Sequence, residues 1–183
     1  IFIEWNISEN LEIQKICEVK EVQEVQEVKE VQGMQEVQGM QEVQEIPNII
    51  HFVYGFKPQT EEFELYKYIA IKSAYNVNKP EKIYFHYYYE PYGIWWNKIK
   101  PLITLNKVEL PKIIFGNDLN HYAHMADIIR LEMLIEYGGI YLDIDTICLK
   151  SFSDLLKNEF VMGCQKRCES YDTYGLCNAV ILS

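Results

Sequence analysis

Apolar and polar residues follow two different rules along this chain, and the change falls at Pro47. From Ile16 to Ile46 an apolar residue recurs at every third position, as in Glu-Val-Gln-Glu-Val-Gln-Glu-Val-Lys. On an α-helix a three-residue period slips about 60° per step, so the valines spiral round the axis, and on a strand they alternate between faces. No continuous apolar face results, and two glycines weaken the helix that Glu, Gln and Lys would favour. Residues 16–45 therefore read as a low-complexity spacer, disordered or loosely helical, after a short N-terminal segment of residues 1–15.

After Pro47 the pattern predicts alternating strands and helices. Ile49 to Tyr54 is a β-rich run stopped by Gly55, and Thr60-Glu61-Glu62 offers a cap and acidic first turn for a helix reaching about Asn78. Further strands are expected at Lys82 to Tyr89 and Val108 to Ile113, with a short helix around Trp95 to Ile99 between them. A long helix from Tyr122 to Tyr137, the pair Gly138-Gly139, a strand Ile140 to Asp145 and later strands near Phe160 and Ala179 complete the series. Residues 46–183 are thus expected to form one α/β domain with ligands at the carboxyl ends of its strands.

Composition narrows the function classes. The 183 residues carry a formal charge of -10, which disfavours sequence-independent binding to DNA or RNA, since that binding needs Lys and Arg to displace counterions. The repeat carries over half of this charge. No apolar run long enough to span a bilayer is visible, nor a signal or anchor at the start. A cytoplasmic location is the expectation, or the Golgi if sequence precedes Ile1. The abrupt end at Ser183 after a strand-like run suggests a domain cut short at its C-terminus. Five cysteines form no disulfide framework, and Cys164, Cys168 and Cys177 lack the paired spacing of a zinc site.

The chemistry-bearing stretch runs from His124 to Asp145. Asp127 and Arg130 lie three apart on one flank of the long helix, where they either satisfy each other or face a cleft. Gly138-Gly139 permits a tight passage into the next strand. The strand Ile140 to Asp145 alternates, so Tyr141, Asp143 and Asp145 share one face, with the two carboxylates about 6 to 7 Å apart. Their repulsion, roughly 2 to 3 kcal/mol at an effective dielectric near 20, would be offset by a divalent cation, for which hard carboxylate oxygens are suited.

These residues resemble the sugar-binding-region glycosyltransferases that contain a D-x-D motif, a family related to α-1,6-mannosyltransferase and inositol-phosphoceramide mannosyltransferases. The pattern A-D-x-x-R, then L-x-x-x-G-G-x-Y-x-D-x-D, is matched at Ala126, Asp127, Arg130, Leu134, Gly138, Gly139, Tyr141, Asp143 and Asp145, and Ile46 to His51 looks like the family's opening strand. The resemblance implies a GT-A, Rossmann-like fold and an enzyme that moves a hexose or N-acetylhexosamine. The donor would be a UDP- or GDP-sugar, the acceptor a glycan, lipid or protein, and the anomeric configuration would be retained. It implies Mn2+ or Mg2+ held by Asp143 and Asp145, with Asp143 also contacting ribose and sugar hydroxyls of the donor. Asp127 and Arg130 would contact the donor sugar, Tyr141 the nucleotide and Tyr54 the base, and Arg130 would assist departure of the diphosphate. Asn178 matches a recurring asparagine that touches donor or acceptor, or serves as a structural cap.

Two other readings stay open. A haloacid-dehalogenase-type phosphohydrolase also ends an apolar strand in D-x-D, with the first Asp as nucleophile, although Ile147 stands where Thr or Val belongs. A catalytically inactive remnant that binds sugar or protein is the other. Aromatic residues Tyr84 to Tyr89 and Trp95-Trp96 are read as core rather than acceptor platform, and His121 and His124 as cap or core rather than metal ligands.

Overall fold

The computed structural model describes residues 45–166 and 173–183. The repeat, the N-terminal segment, Cys17 and Cys168 lie outside the described residues. In chain order the elements are β1 (Ile49–Tyr54), α1 (Leu65–Asn78), β2 (Lys82–Tyr87), α2 (Ile94–Ile99), β3 (Thr104–Lys107), β4 (Ile113–Ile114), β5 (Asn117–Asp118), α3 (Tyr122–Tyr137), β6 (Ile140–Leu142), β7 (Val161–Lys166) and β8 (Thr173–Leu182). Six strands form a sheet in the order β3-β2-β1-β6-β8-β7, while β4 and β5 make a separate hairpin. The half from β3 to β6 is parallel, and β8 pairs antiparallel with both β6 and β7.

Each face of the sheet is closed by an apolar helix surface. Met125, Ile129, Met133 and Leu134 of α3 pack on Val53, Tyr141 and Ile181. Elsewhere Phe63 and Trp96 pack against Phe85 with tilted and edge-on rings, so Trp96 is core, as its sequence context indicated. Burial of these large side chains supplies the main stabilising term, about 2 to 3 kcal/mol each when fully removed from water.

Three sequence expectations shift. The first helix starts at Leu65, not within Thr60 to Glu62, because the chain first brings Phe63 into the core by a backbone bond from its N–H to Tyr92 O at 2.8 Å. The third strand is Thr104–Lys107, not Val108 to Ile113, since those residues continue the parallel register against Tyr84 to Tyr87 and Pro111 cannot donate to a ladder. The strand before the acidic pair ends at Leu142, and Asp143 O accepts from Thr146 N–H at 2.9 Å to close a turn.

Gly138 and Gly139 carry φ of 62° and 106°. A Cβ on Gly139 would stand 2.5 Å from Ile49 O, so only glycine lets β6 approach β1 there.

A buried polar chain crosses the parallel half. Asn106 donates to His86 Nδ1, the His86 and His51 rings share the Nε2 to Nδ1 contact, and His51 Nε2 reaches Gly138 O, each at 2.9 Å. The amide N–H only donates and the carbonyl only accepts, so one pair of neutral tautomers satisfies every atom. Burial pushes the His51 pKa down to about 4 and, with the neighbouring His51 charge, that of His86 to about 3. A histidine depressed in the folded state binds fewer protons than in the unfolded chain, so its stabilisation is complete above pH 6.5 and is lost as pH falls towards 4. The expected loss per histidine is on the order of 2 kcal/mol by pH 5 and on the order of 3 kcal/mol by pH 4. Urea unfolding at pH 7.5 and 5 should show it, and His51→Gln/His86→Gln should flatten the dependence. An unchanged slope in that double variant would contradict this origin.

Candidate active site

Four elements bring the predicted residues to the carboxyl end of the parallel strands. In α3, Asp127 and Arg130 are one turn apart, and Arg130 Nη2 pairs with Asp127 Oδ1 at 3.2 Å. Arg130 Nη1 pairs with Asp143 Oδ1 at 3.2 Å and donates to Asn178 O at 2.6 Å. The guanidinium lies over the Tyr141 ring, with Cζ 4.4 Å from its centroid. Arg130 is 7% exposed, so its fork is used within the protein.

Tyr141 is 2% exposed and its hydroxyl donates to Asp143 Oδ1 at 2.7 Å. Burial, then the Asp143 charge, pushes its pKa well above the ordinary tyrosine value, so the phenol remains a donor. Asn178 closes the circuit. Its side-chain amide donates to Asp127 Oδ1 at 3.0 Å while its carbonyl receives Arg130. The antiparallel pairing of β8 with β6 carries Asn178 there, and Asp143 N–H continues the ladder to Ala179 O at 2.8 Å.

Asp145 stands apart. It lies in the turn after β6, exposed and without an ion pair among the described residues. The expectation that Tyr141, Asp143 and Asp145 share one face of a continuous strand is therefore corrected, since the strand stops before the first aspartate. Turning costs little here, because Asp is favoured at the first position of such turns and Thr146 returns the bond.

The donor set suits a hard divalent cation. Asp127 and Asp143 pair with the Arg130 guanidinium, and Asp145 follows in the exposed turn after β6, so the local carboxylates exceed the cationic charge paired with them. No cluster of three His, Cys, Asp or Glu side chains is arranged around a metal position among the described residues. A fully protein-ligated ion such as structural zinc does not fit this donor set, whereas Mg2+ or Mn2+, completed by water and phosphate oxygens, does.

A cavity of about 300 Å3 is lined by Val53 and Tyr54 at the end of β1, by Phe56, Lys57 and Gln59 after it, and by Tyr122, Ala123 and Ala126 of α3. Tyr54 is thus among the residues lining a cavity that also takes in Ala126, the residue before Asp127. Sequence reasoning missed Lys57, Gln59 and Tyr122, which carry no motif and are gathered only by the packing of α3 on β1. His121 caps α3, its Nδ1 accepting from Ala123 N–H at 3.2 Å, and its ring packs 5.2 Å from that of His124.

A parallel half-sheet with the acidic turn at its carboxyl edge, continued by an antiparallel strand, makes the protein an α/β fold with a parallel-rich sheet. Within that class the chain belongs to the glycosyltransferase family described as having a sugar-binding region containing a DXD motif, whose family model matches residues 20–162. It is 44% identical over 147 residues to glucan organizing enzyme 1 of Cryptococcus neoformans var. grubii, a match covering 75% of this chain and 40% of that protein. It is 28% identical over 113 residues to an uncharacterized glycosyltransferase of Acanthamoeba polyphaga mimivirus, covering 61% of this chain and 40% of the viral protein. The chain therefore spans about 40% of the length of these curated relatives. Among solved structures, the PaToxG glycosyltransferase is similar with a TM-score of 0.47 and 19% identity, over 76% of this chain and 56% of that one. No helix among the described residues is long and apolar enough to cross a membrane.

Proposed function

We propose that the protein transfers a hexose or N-acetylhexosamine from a UDP- or GDP-sugar to a glycan, lipid or protein acceptor, with retention at the anomeric carbon. The observation that carries this reading is the Asp127–Arg130–Asp143 network, closed by Tyr141 and Asn178, beside a cavity with an aromatic wall. Similarity to a protein named for organising glucan favours a glycan among the acceptor classes.

Asp145, exposed and without an ion pair among the described residues, would hold Mn2+ or Mg2+ directly, with Asp143 contributing from within the network. A bound cation supplies Lewis-acid stabilisation of the departing diphosphate. Asp127 has its Oδ1 engaged by Arg130 and Asn178, which orients its carboxylate to accept donor-sugar hydroxyls. Arg130 acts through the two aspartates: each of its paired nitrogens already has a protein acceptor, so it fixes their geometry and offsets their repulsion. Tyr141, enclosed beneath Arg130, reaches the ligand through Asp143 rather than by direct contact. Tyr54 would meet the nucleotide base in the cavity.

A hydrolysis panel of nucleotide sugars on the intact protein, with manganese and with chelator, tests this reading. Metal-dependent release of nucleoside diphosphate from one donor is expected. Chelator-insensitive turnover would contradict the assignment, and cleavage of simple phosphomonoesters with phosphate trapped on Asp143 would support the phosphohydrolase instead.

A further inference from the structure

The cavity between the segment after β1 and the start of α3 measures about 300 Å3, at the small end of ligand pockets, so it accommodates one heterocycle rather than a glycan chain. Its lining includes a single charged side chain, Lys57, in a chain of formal charge -10. Lys57 has no ion pair among the described residues. Its ammonium lies 5.7 Å from the ring centroid of Tyr122, so it reaches from the segment after β1 to a ring contributed by α3.

Gln59 lines the same cavity, and its Nε2 donates to Lys57 O at 2.6 Å. A carbonyl only accepts, so this bond fixes which end of the amide turns back to the backbone. It leaves Gln59 Oε1 as an acceptor without a protein partner among the described residues. Lys57 adds three donors and no acceptor. Pro58 between the two residues fixes one backbone torsion and limits their relative movement. The lining thus offers a donor-only group and an acceptor two positions apart, beside the apolar side chains of Phe56, Ala123 and Ala126.

A donor beside an acceptor complements a base edge on which a keto oxygen neighbours a ring N–H. Uracil presents O4 next to N3–H, and guanine presents O6 next to N1–H. Cytosine and adenine present an amino group next to a bare ring nitrogen, which reverses the polarity of both positions.

We propose that Lys57 and Gln59 determine base specificity: the Lys57 ammonium donates to the keto oxygen and Gln59 Oε1 accepts from the adjacent ring N–H, which selects uracil or guanine nucleotides against cytosine and adenine ones. This rests on the donor-site reading above. A mismatched base sets its amino group against the ammonium and its ring lone pair against the amide oxygen, and polar groups on both sides lose their partners. The phosphates are served by the cation at the acidic turn.

Calorimetry on the intact protein with manganese tests the proposal, using UDP, CDP, GDP, ADP and inorganic pyrophosphate as probes. Within one size-matched pair, wild type should bind the keto nucleotide at least about tenfold more tightly than the amino one. Lys57→Met, on an exposed side chain, should weaken the keto nucleotide by about tenfold while changing its amino counterpart and pyrophosphate by less than about twofold. Lys57→Arg, also donor-only, should restore most of the preference. Gln59→Met should lower the preference in the same sense. Equal binding of both members of each pair by wild type, an unchanged preference in Lys57→Met, or a parallel loss of pyrophosphate, which marks a phosphate contact, would overturn the assignment. If no nucleoside diphosphate binds wild type more tightly than pyrophosphate, the donor-site reading fails first and this proposal with it.

Discussion

Asp145→Asn should lower metal-dependent donor turnover by about a thousandfold or more while leaving the fold intact, because the substitution would remove the proposed cation ligand without removing a structural partner. Asp145 is exposed and has no ion pair among the described residues, so its replacement should change unfolding free energy by no more than about 0.5 kcal/mol. Asp143 differs, since its carboxylate holds both the Arg130 guanidinium and the Tyr141 hydroxyl. Steady-state turnover with manganese, measured beside urea unfolding, separates the two effects. A drop of less than tenfold would remove Asp145 from the catalytic machinery.

Arg130→Met should be costly to both stability and activity. The variant leaves Asp127 and Asp143 facing each other without the charge between them, and it strands the Asn178 carbonyl and the face of Tyr141. Breaking a fully buried pair costs about 3 to 5 kcal/mol; both carboxylates here keep some exposure, so about 2 to 3 kcal/mol is expected. Turnover should fall at least about a hundredfold, since the carboxylates lose their orientation. Arg130→Lys retains the charge but offers no planar fork to three acceptors, so it should recover stability more than activity. Wild-type stability in Arg130→Met would show that the guanidinium does not organise the network.

How far the sequence foretold this arrangement depends on how local each determinant is. The helix from Tyr122 to Tyr137 was legible to the residue because its apolar period, its glycine exit and its Asp127/Arg130 spacing all lie within one run. The same holds for Ile49 to Tyr54, a buried parallel strand written as a continuous apolar stretch. The edge strand Thr104–Lys107 was missed because an edge needs no such stretch, and Thr-Leu-Asn-Lys reads as loop without the neighbouring register. The acidic pair was identified but its backbone was not: Ile144 and Thr146 continue the strand pattern, and only the Asp143 to Thr146 bond reveals the turn. The enclosure of Arg130 was beyond sequence reasoning, since its partner Asn178 is 48 residues away and arrives through antiparallel pairing.

The central claim is that the acidic turn binds an activated sugar nucleotide only together with a divalent ion. Isothermal titration of the intact protein with UDP and GDP, in manganese and in chelator, addresses it most directly when Asp145→Asn is run alongside. Binding of one nucleotide in manganese, its loss in chelator and the same loss in the variant are the predicted results. Equal affinity with and without the cation, unchanged by Asp145→Asn, would contradict the account.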